Sequence, residues 1–176
     1  MATIAVLGGG LGGTIMAYEL RDQVSKADKM ILINKGSKYA FVPSNPWIAV
    51  GWRKRETIEV ELEAACLRRD IALMPQGAER LHPEENRIQL LDGTSVSYDY
   101  LVIATGPDLA FDEIEGFGPG KNTHSICHID HALAARQAFE KLVAKPGPVV
   151  IGAVQGASCF GPAYEFAFIL DKALRD

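Results

Sequence analysis

The sequence predicts an α/β fold with a parallel β-sheet and a small antiparallel β-meander. Residues 3–7 form a short apolar run that ends in glycines, and residues 11–24 then carry apolar side chains at helical spacing. A second apolar run, at residues 30–33, completes a strand–helix–strand unit of the length that neighbouring parallel strands require. Turn signals at residues 83–86 and 92–93 separate later short strands, which predicts the meander.

The remaining elements are predicted from the same periodicities and turn signals. Residues 35–52 are interrupted by proline and glycine and are expected to be irregular. Cys66 falls on the apolar face of the next helix and is expected in the core. We expect helices at 56–69, 130–143 (capped by Asp130) and 162–174, meander strands at 80–82, 87–91 and 96–100, and buried strands at 71–74, 101–104 and 148–151.

Charge and composition exclude several classes of protein. The 176 residues, 48% of them hydrophobic, can bury one good core. A formal net charge of −4 provides no positive field for a phosphate backbone, so nucleic acid is not expected as a partner. Neither the roughly 20 apolar residues of a membrane-spanning helix nor the pattern of a secretory signal is found, so neither segment is expected in this chain.

The glycine-rich turn at residues 8–13 predicts a dinucleotide-binding, Rossmann-like domain. Gly8, Gly10 and Gly13 fit the pattern G-x-G-x-x-G between a strand and a helix. Gly8 permits a tight turn, Gly10 lets the backbone approach a pyrophosphate, and Gly13 lets the helix pack closely on the strand. A merely structural glycine turn is the less favoured alternative in this context.

The ribose contact that usually accompanies this turn is altered. Many such folds place an acid at the end of the second strand, where it accepts hydrogen bonds from the ribose. This chain has Asn34 there, followed by Lys35. An amide oxygen can still accept a hydrogen bond, so both residues are candidates for the ribose contact, and specificity for NAD is not indicated.

Residues 94–107, TSVSYDYLVIATGP, resemble the second signature of flavoproteins with two dinucleotide-binding domains. In those proteins the strand lies in the FAD domain, and its Ala-Thr-Gly end approaches the cofactor. The resemblance therefore implies FAD as the cofactor, with contacts from Ala104, Thr105 and Gly106. An ordinary buried strand that ends at a Gly-Pro turn is the alternative.

Three further segments resemble sulfide:quinone oxidoreductases of the bacterial type: FVPSNPW at 41–47, SICHIDH at 125–131 and GASCFGPAYEF at 156–166. The likeness covers essentially the whole chain. That family oxidises sulfide at cysteines beside the flavin, passes electrons to FAD, and delivers them to a quinone at the other flavin face. The resemblance implies an oxidoreductase with sulfide and quinone as its small-molecule substrates.

The resemblance also assigns roles to individual residues. Cys159 matches one of the redox pair, Cys127 matches a further thiol near the flavin, and residues 43–45 match a loop near the flavin ring. The predicted FAD contacts are Gly8, Gly10, Gly13, Asn34, Lys35, Pro43, Asn45, Ala78, Ala104, Thr105 and Gly106.

Residue chemistry agrees with these cysteine assignments but does not establish them. Cys159 precedes a predicted helix, whose N-terminal dipole favours a thiolate, and Cys127 does so too. Two small buried thiols are the alternative. His131 and Glu165 are candidate proton-transfer groups, with solvated side chains as the alternative. A metal site among the nearby histidines is disfavoured because the sequence offers no second cluster of ligands.

The end of the chain predicts only the start of a second domain. We expect an FAD-binding domain at 1–110, a connecting loop and helix at 111–146, and the start of a second Rossmann-like domain at 147–176. Residues 148–157, PVVIGAVQGA, form a degraded dinucleotide fingerprint, because Val154 and Gln155 replace its glycine-rich turn. This favours electrons from sulfide over electrons from NADH.

Family members are longer, so the chain is expected to be an amino-terminal portion that lacks the remaining redox cysteine. By resemblance the parent enzyme is a peripheral membrane protein, whose membrane-docking helices would lie in the missing part. A homo-oligomer is among the assemblies that the sequence leaves open. The alternatives are a flavocytochrome-type sulfide dehydrogenase, an NADH:quinone dehydrogenase and a non-catalytic nucleotide-binding module.

Overall fold

The computed structural model describes residues 1–157 and 159–176, which divide into two compact units. The first unit comprises Met1–Ala40 and Glu59–Asp108, and the second comprises Phe41–Ile58 and Leu109–Asp176. Along the chain the helices and strands are β1 (Thr3–Leu7), α1 (Leu11–Gln23), β2 (Lys29–Ile33), β3 (Lys38–Ala40), α2 (Asn45–Ala49), β4 (Glu59–Glu61), α3 (Leu62–Leu67), β5 (Ile71–Met74), β6 (Ala78–His82), β7 (Arg87–Leu90), β8 (Ser95–Ser97), β9 (Tyr100–Ile103), α4 (Ile129–Ala144) and α5 (Gly161–Arg175).

The first unit is organised around a parallel sheet with the strand order β5-β2-β1-β9. Ala5 in β1 lies opposite Ile31 on one side and Leu101 on the other. Helices α1 and α3 cover one face, where Val6 packs in the core, and the meander covers the other. Because both faces are covered, the apolar run of β2 is buried without alternation. The predicted α/β fold is confirmed, and the carboxyl ends of β1, β2 and β9 lie at one edge of the sheet.

The meander is confirmed as β6-β7-β8, but its last strand is shorter than predicted. The predicted strand 96–100 ends at Ser97, and Tyr100 belongs to β9. Asp99 redirects the chain, because its backbone N–H donates to the Thr3 carbonyl at 2.8 Å and its carboxylate accepts the Thr3 N–H at 2.7 Å. β9 is an edge strand with Ile103 61% exposed, so the prediction of a fully buried strand at 101–104 was wrong.

The helix predicted at 56–69 is also shorter than expected. Residues 59–61 form β4, which pairs antiparallel with β3, and α3 begins only at Leu62. The Lys38 ammonium lies 3.5 Å from carboxylate oxygens of both Glu59 and Glu61, across this strand pair. The backbone hydrogen bonds between β3 and β4 and these ion pairs therefore stabilise a strand where a helical turn was predicted. Cys66 lies in the core, as predicted.

The second unit packs α2, α4 and α5 around two small cores. Ile48 and Ile58 contact Ala132 in one core. Val50 packs with Ile169 and Leu170 in the other. Helices α4 and α5 confirm the two predicted carboxy-terminal helices. None of the helices in the described residues is long and apolar enough to cross a membrane.

Two predictions for the second unit were wrong. Asp130 does not cap α4, because the helix begins at Ile129 and Asp130 lies in its first turn, 2.8 Å from an Arg55 guanidinium nitrogen. Residues 148–151 form no strand, since no described strand pairs with them and Val150 is 96% exposed.

Candidate functional site

The glycine-rich turn joins β1 to α1 under tight steric constraints. Gly8 has φ +108°, and a side chain there would overlap the carbonyl group of Ala104. Its N–H donates to the Ile33 carbonyl at 2.8 Å, which ties the turn to β2. Gly13 is buried, and a side chain there would overlap the Gly8 carbonyl oxygen. Both positions require glycine because backbone atoms fill the space that a side chain needs.

Gly10 differs from these two glycines because its environment is open. A Cβ atom at Gly10 would meet no described atom within 4 Å. Gly10 is also the N-cap residue of α1, and no side chain caps the helix. The first-turn N–H groups of a helix have no intrahelical acceptor, and their end of the dipole is positive. The turn therefore presents backbone donors and open space, which suits a phosphate or pyrophosphate.

The end of β9 lies beside this turn. The Ala104 N–H donates to the Leu7 carbonyl at 2.8 Å, which continues the pairing of β9 with β1. Thr105 and Gly106 follow and are exposed, and Gly106 has φ +75°. The Ala-Thr-Gly segment is thus adjacent to the glycine turn within the first unit.

A cavity of about 370 Å³ opens at this edge of the sheet. It brings together five of the predicted cofactor contacts, which are Gly8, Asn34, Lys35, Ala78 and Thr105. The remaining lining residues are Leu7, Ile33, Glu79, Arg80 and Leu81. An apolar wall with a few charged and polar groups is typical of a small-molecule site. The sequence motifs did not indicate Glu79 and Arg80 as site residues. They line the cavity because β6 of the meander lies at this edge of the sheet.

Asn34 has hydrogen-bond partners that the sequence did not reveal. Its Oδ1 accepts the Gly9 N–H at 3.0 Å. Its Nδ2 donates to the carbonyl oxygens of Gly36 at 3.0 Å and Lys38 at 3.5 Å. The side chain thus connects the glycine turn with the segment that follows β2.

The predicted flavin-ring loop, residues 43–45, lies in the second unit. Pro43 is exposed, whereas Ser44 and Asn45 are completely buried. Ser44 Oγ accepts a hydrogen bond from Arg53 at 2.5 Å, and the Arg53 guanidinium stacks over Trp47 at 4.4 Å. Neither amide atom of Asn45 has a partner among the described residues. Buried polar groups are rarely left unpaired, so Asn45 is a candidate for contact with a ligand.

Cys159 and Cys127, the two predicted catalytic cysteines, both lie in the second unit and are exposed. Cys159 Sγ lies 4.0 Å from the position that a Cβ atom at Gly161, the first residue of α5, would take. The Cys127 N–H donates to Ser125 Oγ at 3.1 Å, just before α4. Cys66 lies in the first unit, where burial raises the pKa of its thiol. Ser158, in the segment that contains Cys159, lies outside the described residues.

The two proton-transfer candidates have different surroundings. The His131 ring makes edge contacts with Phe111 and His128, at centroid distances of 5.7 and 5.1 Å. His131 Nδ1 is buried with no partner in the described chain. Burial, and secondarily the charge of His128, lowers the pKa of His131. Glu165 is exposed on α5. The described residues hold no group of three or more histidine, cysteine, aspartate or glutamate side chains arranged for a metal.

Comparison with known proteins is consistent with a dinucleotide site. Residues 2–163 match the family described as pyridine nucleotide-disulphide oxidoreductase. The chain is 43% identical, over 98% of its length, to a sulfide-quinone reductase of Aquifex aeolicus. It is 25% identical to a mitochondrial sulfide:quinone oxidoreductase of Dictyostelium discoideum, also over 98% of its length. It spans 39% and 38% of the lengths of these curated relatives.

Solved structures agree with the sequence comparison. The sulfide:quinone oxidoreductase from Aquifex aeolicus superposes with a TM-score of 0.90 at 42% identity, over 99% of this chain and 40% of that one. An NAD-dependent persulfide reductase from A. fulgidus has a TM-score of 0.67 at 19% identity, over 79% of this chain and 27% of that one. The second likeness shows the fold alone.

Proposed function

Because the chain belongs to the pyridine nucleotide-disulphide oxidoreductase family, we propose that it binds FAD and forms part of a sulfide:quinone oxidoreductase. In this function electrons pass from sulfide through the flavin to a quinone. The observation that carries the proposal is the 43% identity with a sulfide-quinone reductase over 98% of this chain.

The residues of the first unit fit a dinucleotide cofactor. The open environment of Gly10 and the uncapped start of α1 provide space and donors for the FAD pyrophosphate. The cavity at the edge of the sheet has room and polar groups for the adenosine end. In the second unit, Asn45 has a buried amide whose atoms lack partners in the described chain, which supports its predicted role as a flavin contact. When bound, the flavin supplies an acceptor and donor of electron pairs.

The exposed thiols supply the chemistry for sulfide. In the proposed role Cys159 would form an S–S bond with the sulfur of sulfide. The bound flavin would take up the two electrons that this oxidation releases, and a base would take up the proton. Cys159 suits this role because its thiol is exposed to solvent, two residues before the first residue of α5. Cys127 is the second candidate thiol, and His131 and Glu165 are candidate bases.

Electrons from NADH are the less favoured alternative. Residues 152–157 lack the glycine-rich turn that brings a pyrophosphate close to the backbone, since Val154 and Gln155 occupy its centre.

The proposal extends to the location of the complete enzyme. Because quinones are lipid-soluble, the complete enzyme acts at a membrane surface.

The test is an anaerobic visible titration of the chain reconstituted with FAD. We expect sulfide to bleach the bound flavin and NADH to leave it oxidised. The Cys159→Ser variant should bind FAD but resist bleaching by sulfide, whereas Cys66→Ala, which alters only a buried thiol, should bleach normally. Bleaching by NADH would instead support an NADH dehydrogenase. A folded, FAD-loaded chain that responds to neither reductant would show that Cys127 and Cys159 do not suffice for sulfide oxidation.

A further inference from the structure

The side chain of Asn34 is hydrogen-bonded to the second residue of the glycine turn, Gly9. Gly9 is a buried residue, and its N–H donates to Asn34 Oδ1 at 3.0 Å. At the other end of the same amide, Nδ2 donates to the Gly36 carbonyl at 3.0 Å. The partners fix the orientation of the amide, because a backbone N–H can only donate and a carbonyl can only accept.

The contact between Asn34 and Gly9 is also steric. A Cβ atom at Gly9 would lie 2.7 Å from Asn34 Cγ, 2.8 Å from Oδ1 and 2.9 Å from Cβ. Gly9 is one of the positions that the motif G-x-G-x-x-G leaves open to any residue. The packed amide of Asn34 therefore explains why this chain has glycine there.

An amide is the side-chain group that meets both demands at this position. A carboxylate could accept the Gly9 N–H, but its second oxygen would face the carbonyls of Gly36 and Lys38 without a proton to donate. An apolar side chain would leave the buried Gly9 N–H without its acceptor, which is the more costly loss. The acid that commonly contacts the ribose in this fold would therefore not reproduce both hydrogen bonds, to the Gly9 N–H and to the Gly36 carbonyl.

We propose that Asn34 is a positioning residue, which acts through Gly9 to set the geometry of the phosphate-binding turn, and that it is not a ribose ligand. This inference rests on the proposed binding of FAD. It replaces the ribose contact that the sequence suggested, because the observed hydrogen bonds direct both ends of the amide to the protein backbone.

The first experiment separates positioning from ribose binding. The affinity of the chain is measured for FAD and for an FAD analogue that lacks the 2′-hydroxyl of the adenosine ribose. Asn34→Ala should weaken binding of both ligands equally, by about tenfold. Ser37→Ala, in the same segment but with its hydroxyl directed to Glu61, should leave both affinities unchanged. A loss for FAD with no loss for the analogue would identify Asn34 as a ribose ligand and overturn the proposal.

A pH series adds a signature that general destabilisation would not produce. Asn34→Asp retains an acceptor for Gly9 but lacks a donor at neutral pH, so FAD affinity should fall. As the pH approaches the ordinary range of an aspartate carboxyl, protonation restores a donor and affinity should partly recover relative to the unsubstituted chain. An affinity ratio that is independent of pH would contradict the requirement for a donor.

The last measurement does not depend on flavin. Amide hydrogen exchange at Gly9 should be much faster in Asn34→Ala than in the unsubstituted chain, while exchange in β1 stays slow. Equal exchange at Gly9 in the two proteins would contradict the stabilisation of the turn by the hydrogen bond from Gly9 to Asn34. If the unsubstituted chain bound no FAD, the proposed function would fail, and exchange at Gly9 would still decide whether Asn34 holds the turn.

Discussion

The carbonyl oxygen of Gly8 occupies the space that a side chain at Gly13 would require. This contact holds the first turn of α1 directly against the end of β1. It sets the position of the uncapped helix start, and therefore the direction in which the first-turn N–H groups point. The steric fit of two glycines thus underlies the anion-binding character of the site.

Replacing Gly13 should damage the fold, whereas replacing its neighbour should not. Gly13→Ala forces Cβ into the Gly8 carbonyl, and we expect a loss of several kcal/mol in the free energy of unfolding. Gly12→Ala is the matched control, because a Cβ at Gly12 meets no described atom within 4 Å. Alanine is the better helix former by about 1 kcal/mol, so Gly12→Ala should be neutral or stabilising. Urea unfolding checks both; equal effects would contradict the packing argument.

Asn45 should show a conflict between stability and ligand binding. Its buried amide has no partner in the described chain, so Asn45→Leu removes an unpaired polar group. We expect the free chain to be as stable as the unsubstituted protein or about 1 kcal/mol more stable. FAD affinity should fall, because leucine removes the polar atoms that are proposed to contact the flavin. Thermal unfolding and FAD titration test the two parts, and a marked loss of stability would show that the amide has a structural role.

The second unit should lose stability at acidic pH because of His131. Burial lowers the pKa of His131 below the ordinary value of 6.5, so the folded state favours the neutral ring. The unfolded state therefore binds more protons between the folded pKa and 6.5. Stability should be full above pH 6.5, fall as the pH drops below 6.5, and level off below the folded pKa.

His131→Phe tests this dependence by removing the titrating group while keeping a ring against Phe111. The change in unfolding free energy between pH 7.5 and pH 5 should shrink in this variant. His124→Gln, at an exposed position, is the control and should keep the dependence of the unsubstituted chain. An unchanged pH dependence in His131→Phe would assign the effect to other groups.

The three thiols should divide into two reactivity classes. Cys127 and Cys159 are exposed, whereas Cys66 is buried with a raised thiol pKa. Iodoacetamide should therefore alkylate Cys127 and Cys159 in the native chain and reach Cys66 only on unfolding. Peptide mass spectrometry reads each site separately. Rapid native labelling of Cys66 would contradict its place in the core.

Local sequence patterns predicted the first strand–helix–strand unit well. The apolar run of β1, the glycines and the helical spacing of α1 are all contained in a short stretch of chain, and so is the turn at Asp92 and Gly93. The core position of Cys66 was also predictable, because its helix has one apolar face. These features need no information about distant residues.

Features set by distant contacts could not be predicted in this way. Residues 59–61 look helical by composition, but pairing with β3 makes them a strand. The hydrogen bond between Asn34 and Gly9 joins two segments that only the parallel sheet brings together. The clustering of residues 41–58 with the second unit depends on packing of Ile48 against α4. The local periodicity of the sequence does not predict such contacts.

The most direct test of the central claim, that the glycine turn receives the pyrophosphate of FAD, is a binding titration with FAD and with FMN, which lacks the AMP half and therefore the pyrophosphate. We predict saturable binding of FAD, much weaker binding of FMN, and at least a tenfold loss of FAD affinity in Gly10→Ala. This variant should remain folded, because a Cβ at Gly10 meets no described atom within 4 Å. Equal affinity for FMN and FAD, or unchanged FAD affinity in folded Gly10→Ala, would contradict the account.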